Sequence, residues 1–528
     1  MNQQIELRCE VTGRPYTICE AEQAFHERIG TLDGLLTASL PFPRVHPFEA
    51  LRQIFCFSHL MNLFRLKSDF SGKPQIARYN PALGYKICTV DEFNSGAIDN
   101  AEFGTPYDFS ASFFSQFDRL MHSVFQPPLN STNTEDSDFV NGALNVKGSY
   151  LSFNIIDSQD CLYCISQYFG NDNISCVQTN RCQFCYGCVN IDGCYECQHC
   201  LFSTNCSGCF ACYDCIGCND CIGCVGLRNA RYHIFNKEYS REQFTGYLSS
   251  RNLGSHIDRS KLRAECENFI AAEKPRRTFL VNTEDSSGNY LRSCRNLHNC
   301  YLGSNSEDCG YLIPLFDSRD CWYGWAMNSE LTFFSGTMRS RNIAYSYSTM
   351  ECENCIYCYQ CYNHCTFCIG CVGLRGKSYC ILNQQYSKDE FFELAPRVIR
   401  QMQSRNEWGR FFPPSTSPFP YFESGAPDFL EPLPETELLT RGYRVMSIPE
   451  PPAPPNAVPG NSLPDDINSV DPDAWTGKAI KCVETGWVFN LQKKEIQIYK
   501  RLNIPLPRIH WKHSLAGLLH LRERLPAV

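Results

Sequence analysis

The chain has 528 residues and a formal net charge of −8, with 43% hydrophobic and 20% charged residues. This composition predicts a folded chain of about three domains and argues against a nucleic-acid binder driven by overall charge. Because no apolar run approaches the roughly 18 residues of a membrane helix, and the N-terminus lacks the basic and apolar stretches of a signal peptide, we expect a cytoplasmic protein, or a virion component if the chain is viral.

Residues 1–130 predict an N-terminal α+β capping module. The module opens with Cys9-x2-Thr-Gly and reaches a Pro-x-Pro-Arg-x-His motif that ends at His46. Helices are expected over residues 46–66 and 107–125. The second of these is rich in aromatic residues, a pattern typical of a helix that packs on a neighbour. We expect it to cap the first cysteine-rich segment.

Cysteine dominates the next segment. The chain contains 34 cysteines, and sixteen of them lie between Cys161 and Cys224 on a single register of three residues. A period of three matches neither a helix nor a strand. A chain that turns every few residues points all of these side chains inward, as the coils of a β-solenoid do. A polyproline-II turn also has this period, but the segment is nearly free of proline.

Two tandem copies of this segment are visible. The stretch CIGCVGLR occurs at Cys221 and again at Cys368, and NTEDS occurs at Asn133 and again at Asn282. Each copy ends in a helix whose start is marked by a capping box. The sequence therefore predicts two cysteine-rich solenoid units with closing helices, 131–265 and 282–405. In the second unit the cysteine register slips twice.

The two stretches that follow differ in charge. Residues 413–475 hold 15 of the 30 prolines and ten acidic residues, which predicts a proline-rich acidic linker. Residues 476–528 hold ten Lys or Arg against three Glu. This basic C-terminal module repeats the N-terminal motif, with Cys482-x2-Thr-Gly followed by Pro-x-Pro-Arg-x-His510.

The predicted fold class is mainly β with α+β caps: tandem cysteine-rich β-solenoid (β-helix) units flanked by small, degenerate zinc-fold-like modules. The diagnostic motifs are Cys9-x2-Thr-Gly, Pro41-x-Pro, Ser71-Gly-Lys73, Tyr107-Asp-Phe-Ser-x-Ser-Phe-Phe114-x-Gln-Phe, NTEDS, CVGLR and the repeated end motif. Their order resembles a cysteine-rich family of candidate-phyla bacteria and giant viruses that is often labelled "caib/baif family". The resemblance covers most of the chain.

The family has no established activity, so the resemblance implies an architecture and no function. The chain also departs from the family at two positions. Where the family has a cysteine after Pro-x-Pro and another before its Thr/Ser-Gly-Lys motif, this chain has His46 and Ser68. One metal ligand of the family is thus replaced and another is lost, which puts an N-terminal zinc knuckle in doubt.

The end modules offer candidate metal ligands. Cys9, His46 and Cys88 form a three-ligand set at the N-terminus, with Cys19 as the fourth candidate, because structural zinc takes four closed ligands. The tail offers Cys482 and His510, with His513 as the third. The alternative is a zinc fold that has lost its metal and is held by aromatic residues and proline.

The cysteine-rich units offer further candidates: Cys182, Cys185, Cys212, Cys215, Cys355, Cys358, Cys361 and Cys365. The last four have the spacing of a bacterial ferredoxin, although Thr366 stands where that motif has proline. The predicted cofactor is zinc, and an iron–sulfur cluster ranks below it. The alternative is a ladder of buried, reduced and closely packed thiols.

The sequence carries no catalytic signature, and we expect no enzyme. The first hypothesis is a non-enzymatic structural or scaffold protein that binds zinc and contacts other proteins or assembles with itself, without a membrane. The second is a metal- or thiol-based redox or storage protein. The third is a nucleic-acid-associated factor that acts through residues 476–528, where basic residues alternate with aromatic ones.

Overall fold

The computed structural model describes residues 4–59, 61–180, 189–192, 198, 203–275, 278–446 and 452–520. This part of the chain mixes α and β structure and is mostly β-sheet, with twelve α-helices. The prediction of a mainly β protein with added helices is confirmed at this level. The chain divides into two compact units, each assembled from two separate stretches of sequence. The first unit comprises described residues up to 129 and 278–446, and the second comprises 130–275 and 452–520.

The N-terminal stretch of the first unit contains six short strands and four helices among its described residues. The strands are β1 (Ile5–Arg8), β2 (Pro15–Ile18), β3 (Phe64–Lys67), β4 (Pro74–Ala77), β5 (Lys86–Ile87) and β6 (Phe125–Gln126). The helices are α1 (Glu20–Ile29), α2 (Pro47–Phe55), α3 (Val90–Asn94) and α4 (Phe113–Ser123). The strands pair two by two, and only β5 and β6 are parallel.

The predicted helix over residues 46–66 is wrong beyond Phe55. The chain leaves α2 through tight turns in which the Phe57 and Ser58 amides donate to carbonyls three residues back. These turns bury Phe57, whose ring packs against Tyr359 with centroids 6.0 Å apart. Tertiary packing therefore ends this helix at Phe55, and the next regular element along the chain is strand β3.

The second unit begins with nine strands and two helices among its described residues. The strands are β7 (Ser131–Glu135), β8 (Asn141–Lys147), β9 (Phe153–Gln159), β10 (Ile165–Tyr168), β11 (Val177–Asn180), β12 (Val189–Asp192), β13 (Asn219–Ile222), β14 (Arg231–Ile234) and β15 (Lys237–Glu238). The helices are α5 (Arg241–Ser249) and α6 (His256–Glu273). Strands β7 to β12 form one parallel sheet in sequence order.

The first unit continues with thirteen strands in one sheet and a closing helix. The strands are β16 (Leu280–Val281), β17 (Gly288–Arg292), β18 (Arg295–His298), β19 (Cys300–Ser304), β20 (Glu307–Phe316), β21 (Arg319–Met327), β22 (Glu330–Met338), β23 (Arg341–Ala344), β24 (Tyr347–Met350), β25 (Glu353–Ile356), β26 (Thr366–Ile369), β27 (Ser378–Ile381) and β28 (Gln384–Gln385). The helix is α7 (Lys388–Ser404).

The remaining elements are short. The first unit ends with α8 (Ala426–Phe429) and α9 (Glu435–Thr440). The second ends with β29 (Val458–Pro459), α10 (Pro472–Trp475), β30 (Ala479–Lys481), β31 (Val488–Asn490), α11 (Lys493–Arg501) and α12 (Trp511–His520). Six 3-10 turns complete the described elements: Pro81–Leu83, Asn100–Phe103, Pro414–Thr416, Tyr421–Glu423, Gly460–Ser462 and Ile467–Ser469.

Parallel pairing in the second unit advances by a constant step of twelve positions. Phe153 pairs with Ile165, Ile165 with Val177 and Val177 with Val189. Isolated bridges continue the same step farther along, as between Phe210 and Ile222. A residue one step further along the chain therefore lies directly beside its counterpart in the neighbouring strand, at the usual strand spacing of about 4.8 Å.

The period of three has a backbone cause. From Asn133 to Ser175, and again from Asn205 to Phe235, every third residue has a positive φ of about 46–71°. The residue after each of these positions lies on the register that contains the cysteines, and it is buried throughout 140–176 and 206–224. Left-handed backbone is tolerated best by Gly, Asn and Asp. Those residues precede many of the cysteines, as Asp220 precedes Cys221.

The register slips of the second cysteine-rich segment follow from unequal steps. Arg319 pairs with Glu330, and Glu330 with Arg341, so two successive steps are each one position shorter than those of the second unit. Glu353 then pairs with Thr366, a step that is one position longer. Each change moves the inward-facing positions by one residue relative to a period of three. The cysteines keep facing the interior because their register in the sequence shifts with the steps.

Helices α5 and α7 begin as the sequence predicts. Ser240 and Gln243 form a complete capping box, and so do Ser387 and Glu390, with each side chain bonded to the other residue's backbone N–H. The prediction that the helix within 107–125 caps the first cysteine-rich segment is wrong. Helix α4 belongs to the first unit, where Phe113 packs on Tyr357 of the second segment at 5.3 Å between ring centroids.

The proline-rich stretch contributes to both cores. Sequence reasoning described residues 413–475 as an extended linker, yet Tyr421, Leu430 and Leu438 are almost fully buried in the first unit. In the second unit, the His256 amide at the start of α6 donates to the Asp465 carbonyl at 2.9 Å. Proline sets the local backbone here, while the intervening apolar residues still pack. The other predicted domain boundaries stay predictions.

No helix in the described ranges is both long enough and apolar enough to cross a membrane.

Candidate functional site

Seven cysteines of the second unit form a continuous array of buried thiols. The thiol of Cys209 is hydrogen-bonded to those of Cys206 and Cys212, its neighbours in the register of three, and to that of Cys221, one parallel step further along the chain. The same contacts recur through the whole set, and no member is more than 2% exposed. We call it the first thiol array: Cys206, Cys209, Cys212, Cys215, Cys218, Cys221 and Cys224.

A second array lies in the first unit. Cys368 contacts four other thiols, two around the chain and two in neighbouring strands. The backbone register places Cys355, Cys368 and Cys380 side by side in three successive parallel strands. All members are at most 3% exposed. The second thiol array comprises Cys352, Cys355, Cys358, Cys361, Cys365, Cys368, Cys371 and Cys380.

The array thiols also bond to the backbone. The Cys209 sulfur, for example, lies 3.4 Å from the Ser207 carbonyl oxygen and 3.5 Å from the Cys218 carbonyl oxygen, and either oxygen can accept its one proton. The side chains packed with each array include apolar residues and a few buried serines, such as Ser203 beside the first array and Ser346 beside the second. Burial raises the pKa of Cys355 and of Cys361 well above the usual value for a thiol. These two cysteines are therefore protonated and poorly nucleophilic, because the thiolate is the reactive form.

Four of the sequence-predicted ligands, Cys355, Cys358, Cys361 and Cys365, are consecutive members of the second array. Their ferredoxin-like spacing has a backbone origin. Asn363 and His364 both have positive φ, of 56° and 64°, whereas each of the other corners between Cys352 and Cys371 has one such residue. The Cys365 thiol accordingly donates to the Tyr362 carbonyl three residues back, whereas most array thiols reach two residues back. The extra corner residue keeps Cys365 facing inward.

Of the predicted ligands in the first cysteine-rich segment, Cys212 and Cys215 contact each other within the first array. Cys182 and Cys185 lie outside the described residues. No disulfide joins any cysteines in the described part of the chain. In that part, no group of three or more His, Cys, Asp or Glu side chains is arranged to hold a metal ion. The array thiols contact one another as a ladder of four-membered rings, for example Cys206, Cys209, Cys221 and Cys218.

The N-terminal candidates each have another hydrogen-bond partner, and the turn at Cys9 is joined to the segment before His46, because the Glu10 amide donates to the Arg44 carbonyl at 3.0 Å. The Cys9 sulfur accepts the Thr12 amide at 3.4 Å, in the turn that joins β1 and β2. His46 caps α2, and its Nδ1 accepts the Phe48 amide at 3.3 Å. Cys88 lies after β5, where its thiol donates to the Gln126 carbonyl at 3.4 Å. Burial raises the pKa of Cys88 to about 12.

The C-terminal module repeats this arrangement bond for bond. The Cys482 sulfur accepts the Thr485 amide at 3.5 Å, and His510 Nδ1 accepts the Lys512 amide at 3.2 Å. Burial lowers the pKa of His510 to about 4, so its imidazole is neutral. His513 instead pairs with Glu484 at 2.7 Å. In both modules a hairpin, a helix, a Pro-x-Pro segment and a second helix follow in the same order.

Sequence reasoning missed two contacts between the first end module and the cysteine-rich segment of the same unit, a buried hydrogen bond and a partly exposed ion pair. Glu22, at the third position of α1, accepts a hydrogen bond from the Tyr323 hydroxyl at 2.6 Å. Both side chains are at most 1% exposed, and burial raises the pKa of Glu22 to about 8. Near the end of α1, Arg28 pairs with Asp320 at 2.6 Å.

The second unit contains the same two contacts. Glu495, at the third position of α11, accepts from the Tyr163 hydroxyl at 2.8 Å. Burial raises the pKa of Glu495 to about 7. Beside it, Lys494 forms an ion pair with Asp160. The sequence does carry a signal for these contacts, because Asp-Cys-x-Tyr stands at 160–163 and again at 320–323. The spacing of the motif does not show which glutamate bonds its tyrosine or which basic residue pairs with its aspartate.

A cleft of about 380 Å³ in the second unit has a charged lining that includes Asp136, Asp138, Lys147 and Lys494. Lys147 pairs with Glu135 at 2.8 Å, and Lys494 is held by Asp160. The two lysines that line the cleft are therefore both paired with carboxylates.

Several cations of the basic tail are paired with acidic residues of its own unit. Lys493 pairs with Asp473 at 2.6 Å, and Arg508 lies 3.9 Å from Asp465. Lys500 donates to the Val470 carbonyl at 2.6 Å. Charge that is compensated within the protein contributes less to phosphate binding.

Comparison with known proteins adds little. No protein-family model matches the sequence, and no curated protein matches it. Among solved structures, a "putative acetyltransferase" from Desulfovibrio desulfuricans G20 is 10% identical, with a TM-score of 0.10. That comparison covers 52% of this chain and 81% of the other chain. A likeness at this TM-score carries no argument about fold or activity.

Proposed function

We propose that this chain is a non-enzymatic structural or scaffold protein built on two cysteine-rich β-solenoids. In this proposal the solenoid interiors are packed with reduced thiols, and the surfaces contact other proteins or other copies of the chain. The observation that carries the proposal is the continuous burial of the two thiol arrays along parallel strands. Side chains committed to an interior of this kind serve packing, since cysteine behaves there as a small hydrophobe.

The solenoid interpretation is supported by the regular pairing of the second unit. Successive parallel strands advance by the same twelve positions, and each step contains four turns of three residues. A chain with this geometry winds around its own interior and stacks each winding on the last. Four inward-facing side chains per step then fill the centre, which requires small residues such as Cys, Ser and Ala.

The end modules are proposed to be zinc-fold-like modules that hold their shape without metal. The support is that the candidate ligands already have other partners. The Nδ1 atoms of His46 and His510 both accept backbone amides, and His510 also packs edge-on against Trp487 at 5.4 Å between ring centroids. A zinc ion would have to displace these contacts in order to gain its ligands.

A chelator tests the structural proposal. Thermal unfolding of the full chain is followed by circular dichroism under reducing, anaerobic conditions, with and without a strong zinc chelator. We expect the same midpoint in both samples, because packed thiols need no ion. A midpoint lowered by several degrees, restored by added zinc, would make zinc part of the fold and overturn the packing role. Sedimentation velocity over a wide concentration range tests self-assembly, which a monomer at every concentration would refute.

A storage role is the second candidate, and the serial contacts between thiols favour it. A nucleic-acid role has weaker support, because tail cations such as Lys493 and Arg508 face acidic partners. It predicts salt-sensitive binding to RNA or DNA that is lost when residues 476–528 are removed.

A further inference from the structure

We propose that the two thiol arrays bind soft monovalent metal ions of the Cu(I) class, as chains of metal–thiolate links along each array. This inference is independent of whether the chain is a scaffold, because it concerns what the interior takes up when such an ion is supplied.

The first step in the argument is the geometry of the contacts. In the first array Cys212 touches the thiols of Cys209, Cys215 and Cys224. Within the described residues no three ligands surround a single point, so the arrangement does not match a closed tetrahedral site. It offers a ladder of neighbouring thiols whose four-membered rings share members. A metal satisfied by two or three sulfurs that also bridge to further ions matches such a ladder.

The second step is the ligand type. Every donor in the arrays is a sulfur, and the buried side chains packed with them are apolar residues and neutral serines such as Ser203 and Ser346. Thiolate sulfur is a soft ligand that selects Cu(I), zinc and iron–sulfur clusters over hard cations. Calcium and magnesium require oxygen donors and are excluded by this chemistry.

The third step, charge, separates Cu(I) from zinc. One Cu(I) per thiolate leaves each link neutral, whereas Zn²⁺ with four thiolates carries two negative charges into an apolar interior. An uncompensated buried charge is expensive. The cation that acts on the edge of the second array, Lys377, is already paired with Asp99 at 2.7 Å. It therefore adds no net positive charge to offset surplus thiolates, and the monovalent ion is favoured.

The binding step balances without a redox partner. Each thiol loses its proton to water as a sulfur–copper bond forms: R–SH and Cu⁺ give R–S–Cu and H⁺. No electron is transferred, because copper enters and stays as Cu(I). Metal binding to thiols releases protons in this way in general. The thiol–carbonyl hydrogen bonds, such as that from Cys209 to Cys218, break at the same time.

The experiment uses the reduced full-length chain in an anaerobic chamber. Cu(I) is added from a complex with a competing chromogenic chelator, and the copper retained per chain is counted together with the protons released. We expect several copper ions per chain, about one proton released for each, and a thiolate-to-copper absorption band in the ultraviolet. Zn²⁺ titrated in the same way should occupy far fewer sites.

Matched variants locate the ions. The array variant replaces Cys209, Cys212 and Cys221 with serine, a residue that already occupies the same register at Ser149 and Ser152. The control variant replaces three buried cysteines outside the arrays, Cys56, Cys266 and Cys294, with serine. The array variant should retain about three fewer copper ions than the wild type, given one thiolate per ion. The control should retain the wild-type number.

Three outcomes would overturn the proposal: no more than one copper ion bound per wild-type chain, equal losses in both variants, or zinc bound to as many thiols as copper. If circular dichroism shows that the array variant is unfolded, the wild-type measurements still decide. Proton release well away from one per copper, or a zinc count that equals the copper count, refutes the proposal without any variant.

Discussion

At the scale of single residues, the positive-φ position before each inward-facing side chain determines how the chain turns. Asn, Asp and Gly adopt this conformation at little cost, while other residues lose about 1–2 kcal/mol there. The chain nevertheless places aromatic residues at several of these positions, among them Phe169, Tyr163 and Tyr323. Tyr163 and Tyr323 have a reason to be there, since each bonds a buried glutamate. Phe169 is 52% exposed, and a phenyl ring cannot form such a bond.

Phe169 therefore gives a clean test of the corner geometry. Replacing Phe169 with asparagine should leave the protein more stable than replacing it with alanine, by about 0.5–1 kcal/mol, because only asparagine tolerates the left-handed backbone. Both variants remove the same ring, so the difference isolates the backbone term. Urea unfolding of the two variants measures it. Equal stabilities, or a more stable alanine variant, would argue against a positive φ at residue 169.

A buried ion network in the first unit makes the second prediction at this scale. Glu49 accepts from Arg441 at 2.7 Å and from Tyr443 at 3.0 Å, and Arg52 lies 3.5 Å away. Glu49→Gln would take the carboxylate from the buried Arg52 and remove one of the two carboxylates that pair with Arg441. Breaking a buried pair costs about 3–5 kcal/mol. The free energy of unfolding of the first unit should fall by that amount in a denaturant titration.

The matched control is Glu351→Gln in the same unit. Glu351 pairs with Arg339 at 2.9 Å, and both side chains are partly exposed. Exposed pairs contribute about 0–1 kcal/mol. If Glu49→Gln destabilised the unit no more than this control, the carboxylate of Glu49 would not be the anchor of the network.

At the scale of elements, helices α1 and α11 repeat one docking contact. Each presents a glutamate from its third position to a tyrosine of the cysteine-rich segment in its own unit. Neither carboxylate has a cationic side chain among the groups that shift its pKa. Both pKa values lie above the ordinary 4.5 because burial disfavours the charged form, at about 8 for Glu22 and about 7 for Glu495.

The sign of the pH dependence follows from these raised pKa values. A carboxyl group whose folded pKa is raised stabilises the fold fully below its unfolded pKa, and this stability is lost as pH rises through the folded pKa. The second unit should therefore lose stability as pH rises from about 4.5 through about 7, the two pKa values of Glu495. Glu495→Gln, which stays neutral, should flatten this part of the profile of thermal midpoint against pH.

Tyr163→Phe provides the contrasting variant. It removes the hydrogen bond that lowers the Glu495 pKa but leaves the carboxyl group in place, so the loss of stability should extend to higher pH. Identical pH profiles for the wild type and Glu495→Gln would show that another group titrates in this range.

The sequence predicted local features of the fold better than it predicted which distant residues contact one another. Local patterns can be recognised in a sequence. They include the period of three, the two repeated segments and the capping boxes at Ser240 and Ser387. The end of α2 at Phe55 was not legible, because the burial of Phe57 against Tyr359 stops the helix. The partners of Glu22 and Glu495 lie about 300 residues away along the chain, and no spacing rule spans that distance.

The sequence leaves metal ligation and thiol packing open for a physical reason. Packing and ligation ask for the same small sulfur-bearing residue at the same position. Cys212 and Cys215 have the spacing of a zinc knuckle, and in the structure they are two members of a larger array of contacting thiols.

At the scale of the whole molecule, each compact unit joins distant parts of the chain. The N-terminal stretch shares a unit with residues 278–446, and the C-terminal module shares one with residues 130–275. Contacts such as Arg28 with Asp320 and Lys494 with Asp160 therefore close loops of about 300 residues. Contacts between residues so far apart in the sequence slow folding in general, because a long loop must close before they can form.

This connectivity predicts how the chain responds to division. A fragment that ends at residue 275 would contain one stretch of each unit and neither complete core. We expect it to lack the cooperative thermal transition of the full chain, and to regain it when mixed with the complementary fragment during refolding. A fragment with a sharp transition of its own would show that the N-terminal stretch and the first cysteine-rich segment fold without their partners.

The central claim is that the interior consists of packed, reduced thiols in a fold that needs no zinc or iron. The most direct test is a thiol count with metal analysis on protein produced without added copper and purified anaerobically without chelator. We expect most of the 34 thiols to react after denaturation, few to react in the native protein, and less than one zinc or iron atom per chain. Several zinc or iron atoms per chain, with few reactive thiols after denaturation, would contradict the claim and make the cysteines metal ligands.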